Sequence, residues 1–182
     1  TLSADNRTKT YGEDLALGST AFTVGGEGLA YQEEVSAVTL GSVNDAASTA
    51  DANAGTYADG ITIGGAEGAA GFSASNYTIT YEPGDLTIEP KALTVSANAQ
   101  TKTYGDADPA LTYGESSALV AGDTFTGSLT RASGQAVGDY AIERGDLAID
   151  DGNNGANYDL TYQGADLTIE KRPLTLSAVA AS

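Results

Sequence analysis

Thr8-Lys9-Thr10-Tyr11-Gly12 returns as Thr101-Lys102-Thr103-Tyr104-Gly105, and this recurrence decides how the chain is read. Other strings return in the same order. Asn76-Tyr77-Thr78-Ile79-Thr80-Tyr81 matches Asn157-Tyr158-Asp159-Leu160-Thr161-Tyr162, and Asp85-Leu86-Thr87-Ile88-Glu89 matches Asp166-Leu167-Thr168-Ile169-Glu170. Ala92-Leu93-Thr94-Val95-Ser96-Ala97 matches Pro173-Leu174-Thr175-Leu176-Ser177-Ala178. Self-similarity over such a length marks tandem modules. Residues 1–90 form a first module, 91–172 a second, and 173–182 the start of a third.

The offsets locate a length difference. Tyr104 lies 93 positions after Tyr11, whereas Tyr158, Leu167 and Thr175 each lie 81 positions after their counterparts. The first module therefore carries about 12 extra residues. Gly55-Thr56-Tyr57 matches Gly138-Asp139-Tyr140, which puts most of them before Tyr57, in Asn44–Gly55. This stretch of Ala, Asp, Asn and Ser reads as an enlarged surface loop, too poor in apolar area to order itself alone. The joints Glu89-Pro90-Lys91 and Glu170-Lys171-Arg172-Pro173 are short, with a proline that fixes φ, and read as stiff. Thr1 stands on a first strand with no leader, and Ser182 follows just after a new copy opens, so both ends read as cuts in a longer array.

Composition removes several function classes. The chain of 182 residues has no Cys, Met, Trp or His. Disulfides, thiolate sites, His-based triads and the usual zinc sites are thereby excluded. Residues 1–90 hold 13 acids and 2 bases, and residues 91–172 hold 12 acids and 6 bases. That balance opposes binding to nucleic acid or to anionic membranes, since phosphate recognition needs clustered Lys and Arg. No apolar run is long enough to span a bilayer. Mutual repulsion along an extended array is the simplest use of the charge.

Strand signals dominate. Leu93, Val95 and Ala97 alternate with Thr94 and Ser96, and Tyr77, Ile79 and Tyr81 share a face that Tyr158, Leu160 and Tyr162 repeat. Glu82-Pro83-Gly84-Asp85 suits a type II turn that would join Tyr77–Tyr81 and Leu86-Thr87-Ile88 as a hairpin, and the same residues fit a bulge inside one long strand. One short helical turn per module is expected, at Gly28–Glu34 and at Ser116–Gly122.

The ordered set Tyr11-Gly12, Gly55-Thr56-Tyr57, Asn76-Tyr77 to Tyr81 and Leu86-Thr87-Ile88 resembles the MBG repeats, YGX type, of large bacterial surface adhesins and filamentous-haemagglutinin-like exoproteins. Tyr104-Gly105, Gly138-Asp139-Tyr140, Asn157-Tyr158 to Tyr162 and Leu167-Thr168-Ile169 carry it in the second copy. The resemblance covers essentially the whole chain. It implies a mostly β, β-grasp-like module strung end to end on a bacterial cell surface, with no enzymatic residues.

Few residues suggest a site. Asp150-Asp151-Gly152-Asn153-Asn154-Gly155 has the oxygen-rich character of a calcium loop, making Asp150, Asp151 and Asn153 the candidate ligands. It lacks the EF-hand spacing and reads equally as a Gly/Asn turn. The first-module counterpart, Gly64–Gly68, is not similarly acidic, so a metal shared by both modules is not expected and no other cofactor is implied. Asp45, Asp51, Asn53 and Asp59 around the enlarged loop invite the same two readings. No spacing singles out a carboxylate pair for glycosidase chemistry. The tyrosines recur in register, as core or hydrogen-bonded corner residues would, and Tyr31 and Phe72 are the better surface candidates. Asn6 and Asn76 fit the glycosylation pattern, although Asn76 also belongs to the repeat motif. The expected role is a monomeric, non-catalytic spacer whose partners are neighbouring repeats. The alternative is a host- or matrix-glycan module acting through the enlarged loop.

Overall fold

The computed structural model of the chain describes residues 1–69 and 71–177. Most of the third-copy stub lies within them, and residues 178–182 lie outside. By compactness the chain falls into two units. The first comprises Thr1–Lys91, Val120–Gly122 and Asp151–Asp159, and the second Ala92–Leu119, Asp123–Asp150 and Leu160–Ser182.

The first repeat contains β1 (Leu2–Ala4), β2 (Arg7–Thr10), β3 (Phe22–Val24), β4 (Glu34–Ser42), β5 (Gly55–Ala69), β6 (Tyr81–Glu82) and β7 (Gly84–Glu89). They make a three-stranded sheet in the order β3-β1-β6 and a four-stranded sheet in the order β2-β7-β5-β4. β2 runs parallel to β7, and β5 antiparallel to both β7 and β4. The second repeat contains β8 (Lys91–Ala97), β9 (Gln100–Thr103), β10 (Tyr113–Glu115), β11 (Thr124–Thr126), β12 (Thr130–Arg131), β13 (Gly138–Glu143), β14 (Ala148–Asp150), β15 (Tyr158–Gln163) and β16 (Ala165–Glu170). Its sheets, β10-β8-β15 and β12-β13-β16-β9, reproduce the first pair, with β11 and β14 as a separate ribbon.

Alternation sets the core. In β7 Leu86 and Ile88 point inward while Asp85 and Thr87 are half-buried, and Leu167 and Ile169 repeat the pattern in β16. Each is at most 1% exposed, a burial worth about 1.5–3 kcal/mol per side chain. Leu2, Val35 and Val38 anchor the first core with Phe22, Leu29, Ile63 and Ile79 around them. Val95, Leu129, Ile142, Leu147 and Leu167 anchor the second.

The Pro-Gly segment makes no hairpin. β6 pairs with β1 in one sheet and β7 with β2 and β5 in the other, so the chain changes sheet at Pro83. β15 and β16 do the same across Gly164. The crossing is tight: a Cβ at Gly84 would meet the Ala4 carbonyl oxygen at 2.7 Å, and one at Gly164 would meet that of Ile142 at 3.1 Å. Of the two sequence readings, one strand with an interruption comes nearer.

The helical expectation fails in both copies. Two 3₁₀ turns occur among the described residues, Val43–Asp45 and Ala74–Asn76, both in the first repeat and neither at the expected place. Ser116 caps no helix. Its N–H donates to the Thr94 carbonyl and its Oγ accepts from Thr94 N–H, prolonging the β8–β10 pairing. Among the described residues there is no α-helix of the kind that a β-grasp lays across its sheet.

Candidate functional site

The loop Asp151–Asp159 belongs to the first compact unit, and its polar groups are turned on one another. Asp151 is 7% exposed. Its Oδ1 accepts from the backbone N–H of Asn153 and of Gly155, each at 2.8 Å, and its Oδ2 from that of Asn157 at 2.9 Å. Burial alone would raise its pKa; the donors Gly155, Asn153 and Asn157 outweigh that and hold the carboxyl below the usual range.

Asn157 is fully buried and fully paired. Its Oδ1 accepts from Ala54 N–H at 2.8 Å and from Asn153 Nδ2 at 2.9 Å. Its Nδ2 donates to Asn53 Oδ1 at 3.0 Å and to the Asp151 carbonyl at 3.3 Å. Its carbonyl accepts from Lys91 N–H. A buried amide meeting all its partners fixes geometry more than it adds net energy. Beside it the Tyr158 ring meets Tyr11 edge-on at 5.5 Å, and the Tyr158 hydroxyl accepts from Val120 N–H at 2.8 Å.

The candidate calcium ligands are therefore placed as follows. Asp150 is exposed at the end of β14, the Asp151 carboxylate faces its own loop, and Asn153 serves the amide network. Among the described residues no three acidic side chains converge on a common point that would hold a metal ion.

The enlarged loop is not a bare surface feature. Ala46 and Ala47 are 3% and 1% exposed. Ser42 Oγ accepts from Ala47 N–H, and Ser48 and Thr49 hydroxyls donate to the Asp45 carbonyl. What orders it is Lys9, itself 5% exposed. The Lys9 Nζ donates to the carbonyls of Glu13, Ala47 and Thr49. Burial lowers the Lys9 pKa, and Asp14, Asp51 and Glu13 work against the shift. Lys102 repeats the arrangement in the second unit without the extra residues. It donates to the Asp106 carbonyl, to Asp108 Oδ1 at 2.6 Å and to Gln135 Oε1 at 3.0 Å. Asp108 also pairs with Arg131, and the two cations hold its carboxyl below the usual range.

The remaining candidates scatter. Asn53 joins the Asn157 network, Asp51 is exposed, and Asp59 donates its N–H to Asp85 Oδ1 at a bulge in β5. Tyr31 is 95% exposed, whereas Phe72 stacks on Tyr77 at 5.6 Å. Phe72 and Tyr77 line a cavity of about 210 Å³ with Leu2, Leu29, Val35 and Ile79. The Tyr77 hydroxyl donates to Glu33 Oε2, which raises its pKa, and accepts from Ala30 N–H. Asn6 Oδ1 accepts from Asp85 N–H, while Asn76 is exposed. Two corner tyrosines behave as their recurrence suggests: Tyr57 donates to the Asn53 carbonyl and Tyr140 to that of Ala136, each four residues back.

The sequence reading passed over Lys9, Lys102 and Asn157. The signal was present: a lysine recurring between two threonines, on the inward parity of a strand, and an asparagine recurring beside a core tyrosine.

The family model described as MBG domain (YGX type) matches residues 1–87 and again 93–168. The chain belongs to that family. It comprises two tandem MBG repeats, and the family is one of repeat modules of surface proteins. No curated protein and no solved structure matches the chain significantly. No helix among the described residues is long and apolar enough to cross a membrane.

Proposed function

We propose that the MBG repeats of this chain are non-catalytic extender modules of an extracellular bacterial surface adhesin, holding a distal binding domain away from the cell. One observation carries the reading: the lysine and the corner tyrosine that recur between copies are spent on the scaffold. Lys9 and Lys102 bind backbone carbonyls, and Tyr57 and Tyr140 close corners. In the second repeat alone, Asp151 and Asn157 add to this by binding backbone and one another. Loops on a rigid scaffold usually carry binding, but the enlarged loop of the first repeat is engaged internally by Lys9 and by burial of two alanines. That favours a structural role for it over glycan recognition. The acidic surface, net charge −17, keeps such an array soluble and self-repelling.

Small-angle scattering of one-, two- and three-repeat chains tests the proposal. The maximum dimension is expected to grow by a constant step per repeat. A dimension that stays nearly fixed as repeats are added would refute the extender reading. A glycan array probed with the two-repeat chain is expected to stay blank.

A further inference from the structure

The internal repeat lets one face be compared with itself under two conditions. Tyr11 is 3% exposed, and its register equivalent Tyr104 is 50% exposed. Both follow the same buried lysine, and both donate N–H to the equivalent glutamate carbonyl, Glu89 for Tyr11 and Glu170 for Tyr104. The backbone is therefore the same, and the difference lies in what covers the ring. In the first unit the cover is Tyr158, edge-on at 5.5 Å, with Val120 over Gly12. A Cβ built at Gly12 would lie 2.7 Å from Val120 Cγ2, whereas at Gly105 the nearest atoms are those of the Arg172 guanidinium at 3.7 Å. Val137, which stands where the first repeat has Ala54, is 48% exposed.

The covering loop shows the converse asymmetry. Asn157 and Tyr158 are 0% and 6% exposed. Their counterparts Asn76 and Tyr77, in the first repeat, are exposed and half-buried. The chain thus carries one occupied pairing of a Tyr-Gly face with an Asn-Tyr loop, one uncovered face and one uncovered loop. Such a surface pairs head to tail and does not close on itself.

We propose that the face of the second repeat formed by Tyr104, Gly105 and Val137 is a docking surface for the Asn-Tyr loop of a further MBG repeat following in tandem. The occupant would set its tyrosine edge against Tyr104, lay the counterpart of Val120 on Gly105 and aim its asparagine at the Val137 backbone. The match is not complete. Ala136 replaces Asn53, which forfeits one amide hydrogen bond, and Val137 offers a larger apolar contact than Ala54. The inference rests on the chain being part of an array but not on the array acting as an extender, so a glycan-array hit or a failed scattering series leaves it standing.

Nitration of tyrosine, mapped by mass spectrometry, tests it. A three-repeat chain is made by repeating residues 92–172 after Arg172. Tyr104 is expected to react at least fivefold more slowly there than in the two-repeat chain, approaching the rate of Tyr11. Placing Asp at the counterpart of Val120 in the third repeat is expected to restore the fast rate. In the two-repeat chain, Val120→Asp is expected to speed nitration of Tyr11. A Tyr104 rate unchanged by the third repeat would overturn the proposal. So would failure of that repeat to fold, because the same residues fold in the second position. Protection of Tyr104 in the two-repeat chain that rises with its concentration would overturn the tandem assignment in favour of self-association.

Discussion

Asp151 shows how a residue that reads as a ligand becomes a scaffold. A loop of Asp, Asn and Gly offers oxygens to a cation or acceptors to its own backbone, and the local sequence is identical in both cases. Here both carboxylate oxygens face N–H donors. Asp151→Asn keeps the shape but loses the charge and one acceptor, and urea unfolding should register about 1–3 kcal/mol of destabilisation. Because the folded pKa is depressed, the stability that Asp151 adds is complete above its unfolded value, about 3.9, and is lost as pH falls through the folded value. The gap between wild type and Asp151→Asn should accordingly be constant at neutral pH and narrow below about pH 4. Millimolar Ca²⁺ should leave the melting temperature where chelator leaves it. A rise of several degrees would mean that Asp151 turns outward to a bound ion.

Among the elements, β2 and β9 matter for what their lysines hold. Lys9 organises the enlarged loop through three carbonyls, whereas Lys102 meets Asp108 and Gln135 in a shorter segment. The same strand thus supports two different loops. Lys9→Met strands the Ala47 and Thr49 carbonyls, and a cost of about 1–3 kcal/mol is expected by thermal or urea melting. Hydrogen exchange should quicken first in residues 44–55. Lys102→Met should spare that loop and loosen Asp108 and Gln135 instead. The sheet change at Gly84 is the second sensitive point. Gly84→Ala sets a methyl 2.7 Å from the Ala4 carbonyl oxygen and 2.9 Å from that of Asp5, atoms of the backbone that have no rotamer to escape into. A loss of about 1–3 kcal/mol follows from such overpacking. Gly114→Ala, with nothing within 4 Å of the added carbon, is the matched control and should change stability by less than about 1 kcal/mol.

At the scale of the whole molecule, the two copies of one fold separate what the sequence carries from what the fold adds. Sequence alone determined the tandem repeat, the β class, the inward parity of Leu93 and Val95, and the corner tyrosines. All follow from periods and recurrences that depend on neighbouring residues or on a fixed offset. The helical turn expected at Ser116–Gly122 fails because cap-like serines and a closing glycine also suit a strand end, where Ser116 bonds Thr94 from another strand; Gly28–Glu34, its counterpart, has neither signal. The enlarged loop takes its order from Lys9, some 38–40 positions away, a partner that no local composition reports. The environments of Asn76 and Asn157 are the clearest division. The two motifs are nearly the same, yet one asparagine is exposed and the other buried among Asn53, Ala54 and Asp151. A local pattern fixes which residues face inward, but whether a polar group is buried depends on which distant segment arrives to meet its hydrogen bonds, and only the tertiary structure decided that.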